Sequence, residues 1–100
     1  MNAELKAKWL AALRSGKYKQ ATRTLREPDS NNYCCLGVLC ALAGMKWKKD
    51  ITGYYLHSQT LTPPPVKKAG LGVYEAGELA KMNDQGKSFA EIADYIEANL

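Results

Sequence analysis

The sequence predicts an α+β fold in which several helices pack on a small antiparallel sheet around a single hydrophobic core. Three observations carry this prediction. The 100 residues are 46% apolar and 24% charged, which is typical of one globular domain, here residues 1–100. Segments at both ends show helical spacing of apolar residues, and a central stretch over residues 33–45 carries no charge. Short segments between them, bounded by turn residues, predict strands.

The first helix is predicted over residues 2–15, where strong helix formers surround an apolar stripe and Gly16 follows as a stop. The stripe consists of Leu5, Trp9, Ala12 and Leu13. Because Trp9 lies on this stripe, we expect it in the core rather than in a ligand site. Residues 22–26 then alternate loosely and predict a half-exposed strand, which a polar turn ends.

The uncharged stretch, Y-C-C-L-G-V-L-C-A-L-A-G-M, is predicted to be a buried helix over residues 34–43. Every face of it is apolar, so periodicity does not distinguish helix from strand, but the stretch is longer than most strands. Gly37 costs stability inside a helix, so we expect another element to pack closely against it. The cysteines are expected mainly to fill space as small apolar side chains.

The remaining chain is predicted to alternate short strands and helices before a last, well-defined helix. The short elements are a strand around residues 53–56, a helix over 63–70, a strand over 71–74 and a short helix before Gly86. The last helix covers residues 88–99, where Ser88 and Glu91 have the spacing of a capping box. We expect this helix and the buried one to form the core.

Basic and acidic residues are distributed unevenly along the chain. Residues 1–70 hold 12 Lys and Arg against 4 Asp and Glu, whereas residues 71–100 hold 2 against 6. Two interpretations stay open. A basic surface binds something anionic, or folding brings the two parts together and cancels much of the field.

The favoured candidate site is a basic binding surface around an aromatic residue. Cations beside an aromatic ring suit phosphates and bases, or an acidic protein face. The competing interpretation is that Trp47 folds onto the core while the lysines are merely solvated. The candidate binding residues are Lys46, Trp47, Lys48, Lys49, Lys17, Lys19, Arg23 and Arg26.

A small cysteine-dependent hydrolase is the main alternative. Cys34 at a helix start would gain stabilisation of its thiolate, and a histidine and an amide or carboxylate follow in the chain order of papain-like enzymes. Cys35 and Cys40, inside the helix, are expected to be inert. The candidate catalytic residues are Cys34, His57, Asp84 (or Asn83) and Gln20.

Metal or cofactor sites, base-specific DNA recognition and a membrane span are less favoured by the sequence. No C-x-x-C spacing occurs, so we expect no metal and no cofactor. Residues 78–96 are similar to the first two helices of a helix-turn-helix, but they are acidic, and that motif reads bases with the helix that follows. Nucleotide or nucleic-acid binding therefore stays a third alternative. No apolar stretch is long enough to span a membrane, which predicts a cytoplasmic protein.

Three segments carry a resemblance to a known group. They are W-L-A-A-L-R-S-G-K-Y-K-Q, Y-C-C-L-G-V-L-C and N-D-Q-G-K-S-F-A-E-I-A. Together they resemble small proteins encoded by phages and prophages. The resemblance implies no particular reaction, and it implies action in the cytoplasm of a bacterial host. By analogy of context, we expect a phage accessory protein that binds a host protein or protein–nucleic acid complex, such as an inhibitor of a bacterial defence system.

Overall fold

The computed structural model describes residues 1–27, 32–44 and 64–100, together with the backbone of residues 48–50 and 53–55. In this part of the chain the helices are α1 (Ala3–Arg14), α2 (Cys35–Leu42), α3 (Pro64–Lys68), α4 (Val73–Asp84) and α5 (Phe89–Asn99). The strands are β1 (Lys19–Gln20), β2 (Asn32–Tyr33), β3 (Lys48–Asp50) and β4 (Gly53–Tyr55). The predicted mixture of helices and strands is confirmed, with helix predominating.

Helix α1 begins at a side-chain cap and is held to the core by its tryptophan. The Asn2 side-chain oxygen accepts a hydrogen bond from the Leu5 N–H at 2.9 Å. Trp9 is completely buried, and its ring N–H donates to the Cys35 carbonyl oxygen at 2.9 Å. The predicted first helix and the core position of Trp9 are confirmed.

Helix α2 is the centre of the fold. It packs against α1, α3 and α4, and every residue from Cys35 to Cys40 is buried. A methyl group on Gly37 would overlap the carbonyl oxygen of Leu25, so the backbone before β2 passes directly against this position. Both the buried helix and the close approach at Gly37 are therefore confirmed.

Helix α5 shows the expected capping box between Ser88 and Glu91, and it packs against α1 and α4. Its apolar face is buried through Phe89, Ile92, Ala93 and Ile96. Most of the buried apolar residues in the described chain form one cluster, which is built mainly by helices packing against one another. The prediction that the uncharged stretch and the last helix form the core is confirmed.

The predicted strand over residues 71–74 is wrong, because α4 already begins at Val73. The Leu71 N–H donates to the Val66 carbonyl at 3.2 Å, and the Ala76 N–H donates to the Gly72 carbonyl at 3.1 Å. Val73 and Tyr74 have the side chains of strand residues, yet they stand 72% and 77% exposed in the first turn of a helix. Helical hydrogen bonds have overridden a weak preference for strand.

The predicted strand over residues 22–26 is also largely wrong. Only Arg26 pairs, antiparallel to Tyr33, while residues 22–25 form bends. Strand β1 lies on the other side of β2 and runs parallel to it, with Gln20 opposite Tyr33. The prediction of an antiparallel sheet is therefore wrong for β1 and β2. Strand β2 lies between β1, which runs in the same direction, and the Arg26 segment, which runs in the opposite direction. Strands β3 and β4 do pair antiparallel.

Candidate binding surface and the polar cluster beside it

Asn83 is the only fully buried polar side chain among the residues that the structure describes. Its Oδ1 accepts hydrogen bonds from the Gln20 Nε2 at 3.0 Å and from the Cys35 N–H at 3.1 Å. Its Nδ2 donates to the Ala21 carbonyl oxygen at 2.7 Å. One amide in the last turn of α4 thus joins β1 to the start of α2.

Two further contacts extend this cluster to the segment that follows β1. The Gln20 Nε2 also donates to the Lys87 carbonyl oxygen at 2.6 Å. The Arg23 backbone N–H donates to the Asp84 Oδ1 at 2.9 Å. Residues 20–23 are therefore fixed against the turn between α4 and α5. From the sequence, Asn83 was predicted only as a possible catalytic residue, since nothing in its local sequence marks it as buried.

The structure brings together three of the four residues of the hydrolase alternative, but their polar groups are engaged in the fold. Cys34 is 7% exposed and caps α2, where its sulfur accepts from the Gly37 N–H at 3.4 Å. Burial is the main cause that raises the pKa of the Cys34 thiol to about 11, although the hydrogen bond from Gly37 acts in the opposite direction. At neutral pH the raised pKa favours the protonated thiol, whereas the nucleophile of a cysteine hydrolase is the thiolate. His57 lies outside the described residues.

The other two cysteines are also buried in apolar surroundings. Burial raises the pKa of Cys40 to about 12 and that of Cys35 well above its ordinary value. The Cys35 thiol donates a hydrogen bond to the Leu79 carbonyl oxygen, with 3.5 Å between the sulfur and the oxygen. All three thiols therefore favour the protonated form in the folded protein.

The raised pKa values predict that the protein loses stability in alkali. The unfolded chain releases thiol protons above about pH 9, whereas the folded chain retains them, so stability is full below that pH and declines between about pH 9 and 11. Each buried thiol lowers the free energy of unfolding by about 1.4 kcal/mol per pH unit in this window. Urea unfolding at several pH values measures the slope. Cys40→Ala should remove about a third of the thiol contribution, and an unchanged slope in that variant would contradict the interpretation.

We define the basic surface as Lys17, Lys19, Arg23 and Arg26. The first three are exposed, and within the described chain their side chains form no ion pair. Arg26 is half-buried, with its guanidinium 5.4 Å from the centre of the Tyr33 ring. Of these residues, Lys19 lies on β1 and Lys17 just before it, Arg23 lies in the bend that follows, and Arg26 pairs with the other edge of β2.

The other predicted binding residues are not joined to this surface by any described contact. They are Lys46, Trp47, Lys48 and Lys49. Lys46 and Trp47 lie outside the described residues. Lys48 and Lys49 belong to β3, where their backbones pair with Tyr55 and Tyr54. The interpretation of Trp47 as part of a binding surface stays a prediction.

Part of the charge division along the chain is cancelled by folding. Arg14 near the end of α1 forms ion pairs with Asp94 at 2.8 Å and with Glu97 at 3.3 Å, both on α5. The Lys6 Nζ donates to the Glu97 carbonyl oxygen at 3.4 Å. Because α1 and α5 pack together, carboxylates of the last third pair with Arg14 of α1, whereas none of the described ion pairs joins them to Lys17, Lys19 or Arg23.

Within the described ranges, no group of three or more His, Cys, Asp or Glu side chains is placed to hold a metal ion. None of the described helices combines the length and apolar character needed to cross a bilayer. Residues 1–72 match a family described as a domain of unknown function, DUF8296. The matched part contains the whole basic surface, whereas Asn83 lies beyond it. No curated protein and no solved structure matches the chain.

Proposed function

The chain belongs to the DUF8296 family, and from the geometry of its basic surface we propose that it works by binding an anionic face of another macromolecule. The observation that carries this proposal is that some exposed Lys and Arg side chains form ion pairs and others do not. Arg14, Lys8 and Lys87 are each paired with a carboxylate, whereas Lys17, Lys19 and Arg23 have no such partner in the described chain. Other exposed cations, Lys67, Lys68 and Lys81, are also unpaired there, but they lie on helices α3 and α4, whereas Lys17, Lys19 and Arg23 follow one another along a single short segment. Unpaired cations on one surface attract and orient an anionic partner.

The backbone of this segment supports the same proposal. Arg23 has φ of +62°, a left-handed conformation that costs a non-glycine residue about 1 kcal/mol or more. The hydrogen bond from its N–H to Asp84 stabilises that conformation, and Gln20 is held nearby by Asn83. A segment fixed in this way loses less conformational entropy when a partner binds.

We further propose that the protein is a phage accessory protein acting in the cytoplasm of a bacterial host, where its partner is a host protein or protein–nucleic acid complex. The resemblance of its segments to small phage- and prophage-encoded proteins supports this context. Inhibition of a bacterial defence system is the activity that we would test first. Capture from host lysate on the native protein should yield a stoichiometric partner that a variant of the basic surface does not retain.

Binding to a generic polyanion tests the basic surface directly. Lys17→Gln/Lys19→Gln should elute from a heparin column at lower salt than the native protein. The slope of log affinity against log salt should fall by roughly one unit for each lost contact. Heparin is the probe because it carries negative charge without base or side-chain specificity.

The matched control is Lys67→Gln/Lys68→Gln, which removes the same charge from exposed positions in the last turn of α3. Its retention should stay close to that of the native protein. Equal losses in the two double variants would mean that net charge alone controls retention, and this result would contradict a specific basic surface.

A further inference from the structure

A small cavity opens beside the basic surface, between the last turn of α1 and the end of α2. Its volume is about 240 Å³, below the roughly 300 to 1,000 Å³ of sites for drug-sized ligands. A cavity of this size is suited to one side chain. Its lining residues are Ala11, Ala12, Ser15, Lys17, Tyr18 and Leu42.

The exposed wall of this cavity is mainly apolar, and the hydroxyl group of Ser15 is already engaged. The Ser15 hydroxyl donates to the Ala12 carbonyl oxygen at 2.7 Å and accepts from the Lys17 N–H at 3.1 Å. No acidic residue lines the cavity, and the Lys17 side chain supplies its only positive charge. The chemistry thus favours an apolar group with negative charge next to it.

We propose that this cavity receives one apolar side chain from an acidic segment of a protein partner. The inference rests on the proposed function and names the class of partner for the same surface. Lys17 belongs both to the cavity and to the basic surface, so an apolar residue seated in the cavity places neighbouring carboxylates beside Lys17 and Lys19. A buried apolar anchor surrounded by complementary charge is the usual arrangement of a protein interface.

A nucleic acid fits this cavity less well. Recognition of a base uses hydrogen bonds to its edges or stacking on an open aromatic face. The Ser15 hydroxyl is engaged, and the Tyr18 ring already forms an edge-to-face contact with Tyr33, with 5.4 Å between ring centres. The aliphatic part of the wall, formed by Ala11, Ala12 and Leu42, instead favours a leucine-like side chain, because burying such a side chain removes apolar surface from water.

The test compares two labelled peptides, each a run of glutamates with one central residue, either leucine or alanine. At low ionic strength, the native protein should bind the leucine peptide about tenfold more tightly, as measured by fluorescence anisotropy. Ala11→Phe, which fills the cavity without changing charge, should remove this advantage and leave the affinity for the alanine peptide unchanged. A single-stranded thymidine oligonucleotide serves as the nucleic-acid probe.

The matched control is Ala7→Phe, at an exposed position one turn earlier on α1 that does not line the cavity. It should preserve the leucine advantage, and thermal unfolding of both variants checks that they fold. Equal affinity for the two peptides, lowered equally by Lys17→Gln/Lys19→Gln, would overturn the cavity inference while leaving the proposed function intact. Tighter binding of the oligonucleotide, unaffected by Ala11→Phe, would also overturn it in favour of nucleic acid. If no probe binds, both proposals fail.

Discussion

Replacing Asn83 with alanine is expected to lower the free energy of unfolding by about 3–5 kcal/mol, a large part of the total stability of a small domain. The substitution leaves the Cys35 N–H and the Ala21 carbonyl oxygen buried without their partner, and each such group costs about 1–3 kcal/mol. It also removes one of the two hydrogen bonds that hold the Gln20 side chain, the other being the bond to the Lys87 carbonyl oxygen. Urea unfolding followed by circular dichroism measures the change.

Asn99→Ala is the matched control for this substitution. Asn99 donates one hydrogen bond to the Tyr95 carbonyl oxygen at 2.9 Å from an exposed position at the end of α5. Its replacement should change stability by no more than about 0.5 kcal/mol. A loss below about 1 kcal/mol in Asn83→Ala would indicate that water replaces the amide, and the cluster would then not be what fixes the basic surface.

Gly37→Ala is expected to be at least as damaging, although alanine is the better helix former. The added methyl group would overlap the Leu25 carbonyl oxygen, so the segment before β2 must move away from α2. That movement breaks the hydrogen bond from the Cys34 N–H to Leu25, which is 3.2 Å long. We expect a loss of about 3 kcal/mol or more in the free energy of unfolding, as overpacking at a buried backbone contact produces. Thermal and urea unfolding both measure it.

Gly77→Ala provides the same substitution in an open position. Gly77 lies within α4, and nothing comes within 4 Å of the place where its methyl group would stand. This variant should gain about 0.5–1 kcal/mol from helix propensity. Opposite signs for the two variants would show that the approach of Leu25, rather than helix propensity, requires glycine at position 37. Stabilisation of both would contradict the close contact.

The two variants also separate stability from binding. Gly37→Ala displaces the segment that carries Arg23 and Arg26, so its salt-dependent retention on heparin should fall along with its stability. Gly77→Ala lies away from the basic surface and should retain native binding. Loss of binding in Gly77→Ala would place the partner on α4 instead.

The helices were the part of the fold that the sequence predicted best. Residues Ala3–Arg14 and Phe89–Asn99 carry apolar stripes with capping residues, and each pattern is complete within a dozen residues. The uncharged stretch was assigned to a buried helix by its length, and Cys35–Leu42 is helical. Such signals are local, so they do not depend on how the rest of the chain is arranged.

The strands and the candidate site depended on contacts that no local pattern contains. Val73 and Tyr74 favour a strand by composition, yet they begin α4. Strand β2 pairs in parallel with β1 on one edge and antiparallel with Arg26 on the other. Lys17 and Lys19 were predicted binding residues, but only the fold places Lys17 at the mouth of a cavity.

The sequence by itself thus determined the core helices, the burial of Trp9 and the need for close packing at Gly37. Only the tertiary structure decided that Asn83 is buried, that burial raises the pKa of the Cys34 thiol and that Arg23 is held in a left-handed conformation. Each of these properties comes from pairs far apart in the chain, such as Gln20 with Asn83 and Arg23 with Asp84. The burial and hydrogen bonding that set a polar group's state exist only once those distant segments meet.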